Sequence, residues 1–152
     1  MDGCAKEITA LMTDESLVGY FEAGQEPPGG FHHREHVRVA WFYLRHAPLP
    51  AALERFRTGL RRFAEIQGAV GKYHETMTTA YVLLIHERLE AGGRNLSWDE
   101  FAAREADLLA WNPSVLDRLY RPETLASDRA RETFVPADRH RGEDPADPLP
   151  GR

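Results

Sequence analysis

Helical periodicity, interrupted at intervals by proline and glycine, is the feature that most restricts how this chain can fold. Apolar residues recur at three- and four-residue spacings from Phe31 to about His46, and Pro48 closes that run. Pro50 suits the first position of a second helix, which reaches about Gln67 before Gly68. Tyr73 to about Glu90 is the longest clean run, stopped by Gly92 and Gly93. Asp14 can cap a shorter helix through Glu22, and QEPPGG after it reads as a loop. Ser97-Trp98-Asp99-Glu100 is a capping box opening a helix to about Ala110. Asn112-Pro113 and Pro122 start short helices beyond it. No segment alternates with the period of a strand. The expected fold is an all-α, single-domain antiparallel bundle of four to five main helices with short C-terminal helices.

Length agrees with that, because 152 residues favour one domain with a core of its own. Residues 1–137 are expected to form the bundle. From Asp138 the chain turns polar and proline-dense, so 138–152 is expected to be a disordered tail. A formal net charge of −5 offers no basic field and argues against a nucleic-acid partner. No apolar run approaches the roughly 20 residues that cross a bilayer, so no membrane partner is expected. The start MDGCAKEI has no signal-peptide core, and Cys4 is the only cysteine. Both point to a cytoplasmic protein. A spare apolar helix face would permit a homodimer.

Two stretches carry the chemistry: FHHREHVRVAW at 31–41 and KYHETMTTAY at 72–81. On a helical wheel, Val37, Ala40 and Leu44 fall within ~40° of His33, and His36 lies at ~60° on the edge of that face. His32 and Glu35 lean towards solvent or a flank. In the second stretch Thr78, Tyr81 and Ile85 lie within ~40° of His74, while Glu75 is ~100° off. Short connections make successive helices antiparallel, so both histidine groups reach the same end of the bundle. Burial and the positive end of a helix both keep an imidazole neutral, which is its metal-binding form. His33, His36 and His74 are therefore candidate ligands of one divalent metal with an open position. Zinc is the first choice; nickel, copper or iron suit the same donors. His32, Glu35 and His36 also spell H-x-x-E-H, but nothing else of a metalloprotease accompanies it.

The paired motifs F-x-H-x-x-H (Phe31, His33, His36) and Y-H-x-T-x-T (Tyr73, His74, Thr76, Thr78) resemble a family of small bacterial helical proteins of uncharacterised function. The resemblance spans about residues 14–135 and includes S-x-x-A-R-x-x-F-V-x-x-D at Ser127 to Asp138. It implies a helical fold and a segment 127–138 that packs over the site. A more distant resemblance to DinB/YfiT-type bundles implies a three-histidine metal centre. Those proteins typically show one histidine and then an H-x-x-x-H pair, whereas here the pair comes first and is spaced by three.

These residues suggest a metal-dependent enzyme acting on a small-molecule substrate, with hydrolase or lyase chemistry favoured. Glu35 and Glu75 are the candidates for acid–base work. Tyr73, Thr78, Trp111 and Arg131 are candidates for substrate contact, and Arg131 or Arg38 would meet a carboxylate. Two competing expectations remain. One is a metal-free small-molecule binder with a pocket lined by Trp41, Tyr81 and Trp111. The other is a structural or partner-binding bundle whose buried histidines only brace helices. RFRTGLRR, at 55–62, is expected to be the solvated face of its helix.

Overall fold

Caps and prolines set the helix starts in the computed structural model, which describes residues 8–139. The Thr13 hydroxyl accepts the Ser16 N–H and opens α1, Asp14–Glu22. After the proline–glycine loop comes α2, His33–His46. Helix α3, Leu49–Ile66, carries Pro50 in its first turn. A 3-10 turn at Val70–Lys72 leads into α4, Glu75–Arg88, for which His74 is the N-cap. Ser97 and Glu100 form the expected capping box of α5, Trp98–Arg104.

The helix expected through Ala110 instead breaks at Glu105, whose backbone (φ −108°, ψ 42°) leaves the helical region. Arg88 of α4 reaches both Glu105 and Asp107 across this break. The chain resumes as α6, Ala106–Leu109, and passes through a 3-10 turn at Val115–Arg118. It ends in α7, Pro122–Leu125, and α8, Asp128–Glu132. Among the described residues there is no strand, only one isolated bridge between Trp111 and Ser114. The fold is all-α. No helix among the described residues is long and apolar enough to cross a membrane.

Aromatic rings hold the four long helices together. Phe21 of α1 stacks on Phe31, Phe56 and Phe63, with centroids 5.5, 5.7 and 6.1 Å away. Gly59 makes this approach possible, because a Cβ there would lie 2.7 Å from the Phe21 ring. On the other side of α2, Trp41 is 0% exposed and packs against Trp98 and Phe101 of α5. Rings of this size, buried on several sides, stabilise a small domain more than any single polar contact in it. Helix α2 therefore lies between α1 and α3 on one side and α5 on the other.

The C-terminal segment is a strap over α4. Leu125 O accepts from His74, and Thr133 O accepts the Thr76 hydroxyl. Val135 N–H donates back to Thr76 Oγ1 at 3.0 Å. Asp138 closes the strap: its carboxylate accepts from the Arg121 N–H and the Thr124 hydroxyl, while its own N–H meets Leu119 O. The tail expected to begin at 138 thus excludes Asp138 and Arg139, which belong to the packed segment; residues 140–152 lie outside the described residues. Asp138→Ala should cost about 2 kcal/mol of stability, the usual scale for hydrogen bonds lost from a charged acceptor. The accompanying signature is faster hydrogen exchange, measured by mass spectrometry, confined to 119–139.

Candidate functional site

One cavity of about 420 Å³ opens at the end of the bundle where α2 and α4 begin and α3 ends. His33, His36 and Val37 line it from α2, and Leu60, Phe63 and Ala64 from α3. His74, Met77 and Thr78 line it from the start of α4. That arrangement requires α2 and α4 to run the same way and α3 to oppose them. The wall is mostly apolar, and the volume lies in the range of small-molecule sites. The three histidines expected to converge do border this single space.

Their hydrogen bonds distinguish them. His74 Nδ1 accepts the Met77 N–H at 3.1 Å, and its Nε2 lies 2.8 Å from Leu125 O. An amide can only donate and a carbonyl can only accept, so His74 is the Nε2–H tautomer with both nitrogens committed. His33 Nε2 lies 2.8 Å from Leu108 O and must carry a proton for the same reason. Its ring packs against Tyr81 and Trp111, at 4.7 and 4.8 Å. Burial lowers the His33 pKa, against smaller upward pulls from Leu108 O and Glu35. His36 differs from both: its ring nitrogens have no hydrogen bond to any described residue, and Phe31 meets its ring edge-on at 4.4 Å. Burial, then the neighbouring His33 and His32, push its pKa down to about 3. Thr78, 8% exposed, likewise has no hydroxyl partner among the described residues.

A three-histidine centre would need the lone pair that His74 has given to Met77, and it would break two hydrogen bonds. Among the described residues no group of three or more His, Cys, Asp or Glu side chains is arranged to hold a metal ion.

The two expected acid–base residues are elsewhere. Glu35 is 5% exposed rather than turned to solvent. It accepts the His32 N–H at 3.2 Å as the third residue of α2, a helix-start role that the H-x-x-E spacing signals. It borders a separate hollow beside Arg38 and Trp98. Arg38 is spent there on Asp14 and on the carbonyls of Thr9 and Met12.

Glu75 is 4% exposed and bound by Arg57, Arg61 and the Tyr73 hydroxyl. Burial opposes its charge, but the Tyr73 bond and the two guanidinium groups outweigh it and keep the carboxyl below its usual range. Arg57 and Arg61 are thus not simply part of a solvated face. Their four-residue spacing, which puts two cations on one stripe, was the sequence signal for a buried carboxylate partner.

Of the expected substrate contacts, Tyr73, Thr78 and Trp111 line the cavity, and Trp111 remains 54% exposed. Arg131 does not line it; its Nη1 donates to Gly71 O at 2.7 Å and ties the strap to the α3–α4 connection. Trp41, which only the metal-free alternative placed in a pocket, is sealed in the core. Glu26, Lys72 and Met77 line the cavity without having been singled out, because nothing in their local pattern separates them from ordinary surface or core positions.

Comparison with protein-family models, curated proteins and solved structures finds no match for this chain.

The depressed His36 pKa fixes a pH dependence. Unfolded, this imidazole takes up a proton near pH 6.5; folded, it does so only near pH 3. Its stabilising contribution is complete above pH 6.5 and is lost as pH falls towards 3. Urea unfolding should therefore show a loss of about 2 kcal/mol between pH 7 and pH 5 beyond that of a His36→Phe variant.

Proposed function

We propose that the protein binds a small, largely apolar organic molecule in the cavity at the α2–α4 end of the bundle. The observation that carries this is the pairing of an apolar wall with two polar side chains, His36 and Thr78, that make no hydrogen bond with any described residue. Both groups border this space and remain available to hydrogen-bond a molecule that enters it. A ligand with an O–H or N–H at one end and a hydrocarbon or aromatic body meets both demands. Neutral His36 accepts its hydrogen bond, while Phe31, Leu60, Phe63 and Met77 surround its body. A group with a pKa near 3 is a weak base at neutral pH, which favours recognition over proton transfer as the role of His36.

A divalent cation held by His33 Nδ1 and His36 is the second reading, favoured by the same lack of a partner at His36. His33→Ala and His36→Ala separate the two. Under the first reading, 2-phenylethanol raises Tm with or without chelator. Under the second, purified untagged protein carries near-stoichiometric metal that both variants lose.

For the cavity itself, His36→Phe keeps the ring shape and removes the acceptor, so it should weaken 2-phenylethanol about tenfold in calorimetric titration. Leu60→Trp should fill the space and abolish binding while leaving the far-ultraviolet circular dichroism unchanged. Full-strength binding to Leu60→Trp would place the ligand elsewhere and defeat the proposal.

A further inference from the structure

Resting on the cavity reading above, we infer that the ligand is a zwitterion: a largely apolar body whose inner end can meet His36, with an ammonium and a carboxylate at the cavity rim. Apart from its rim the lining offers uncharged polar groups, among them the neutral His36 imidazole, the Thr78 hydroxyl and the two tyrosines. Two charged side chains also line the cavity, Glu26 and Lys72, and both are solvent-exposed at its edge. Neither side chain forms an ion pair or a hydrogen bond with any described residue, nor do they pair with each other.

Their positions explain why they stay apart. Glu26 belongs to the proline–glycine loop before α2, and Lys72 ends the 3-10 turn before α4. Two charged groups close to this rim are committed elsewhere. Glu75 is held by Arg57 and Arg61, and Arg131 is held by Gly71 O. The rim therefore presents one unspent charge of each sign over an apolar interior. A ligand bearing a single charge would satisfy one of these side chains and leave its own charge facing the like-signed one. A ligand with both charges complements both. Because the rim is wet, each contact adds discrimination on the scale of an exposed ion pair, roughly twofold to fivefold in affinity. The apolar body supplies most of the binding.

Calorimetric titration of the full chain with four probes of matched body tests this: phenylalanine, 3-phenylpropanoate, 2-phenylethylamine and 2-phenylethanol. Phenylalanine should bind tightest, and its lead should shrink in about 0.5 M salt, where exposed charges are screened. Lys72→Gln should weaken phenylalanine and 3-phenylpropanoate about twofold to fivefold and spare the amine. Glu26→Gln should weaken phenylalanine and 2-phenylethylamine by a similar factor and spare the carboxylate. Both positions are exposed, so both variants should fold. Any ranking that phenylalanine does not lead overturns the zwitterion inference, as does a ranking unchanged in both variants; the cavity reading survives so long as 2-phenylethanol still binds in a Leu60-dependent way. If none of the four probes binds, the cavity reading fails and this inference falls with it.

Discussion

Four consecutive residues at the start of α4 tie the structure together. Tyr73 and Glu75 reach α3 through Arg57 and Arg61; His74 and Thr76 reach the C-terminal strap through Leu125, Thr133 and Val135. The same turn must also satisfy its own free amide groups, and His74 does so by accepting from Met77. One imidazole thus caps a helix with one nitrogen and anchors a distant segment with the other. Loss of that turn would weaken the hold on the strap and on α3 together.

The cavity follows from this arrangement. With the strap held against α4 and α3 fixed by the Glu75 cluster, the ends of α2, α3 and α4 cannot close completely over the space between them. Small and flexible side chains at Ala40, Ala64 and Met77 leave it open, and aromatic rings at Phe31, Phe56 and Phe63 give it a rigid wall. Histidine serves three different ends there. His74 is structural, His33 is half-committed to Leu108, and His36 alone retains its full hydrogen-bonding capacity. The difference comes from which backbone groups lie within reach, not from the residue type.

Much of the fold could be read from the chain. Helix starts at Pro50, Ser97 and Pro122 follow from local chemistry, and the antiparallel course of α2, α3 and α4 brings His33, His36 and His74 to one end as short connections require. Periodicity placed Thr78 and Tyr81 on the inner face with His74, where both now line the cavity. It failed for Glu35 and Glu75. A wheel angle assigns a carboxylate to a flank, and what then happens depends on the neighbouring element: a free helix amide took up Glu35, and two arginines from α3 took up Glu75. The break at Glu105 was hidden for a similar reason, since its partner Arg88 is 17 residues away in sequence. The packed position of Asp138 was hidden as well, because composition alone cannot show that two donors from 121 and 124 await its carboxylate.

The sequence by itself determined the helices, their order and the end of the bundle at which the histidines gather, because spacing, capping and short loops act over a few residues. Only the tertiary structure decided which imidazole is occupied and which is free. Hydrogen bonds from His33 to Leu108 and from His74 to Leu125 span 75 and 51 residues, and no local pattern encodes a partner at such a distance.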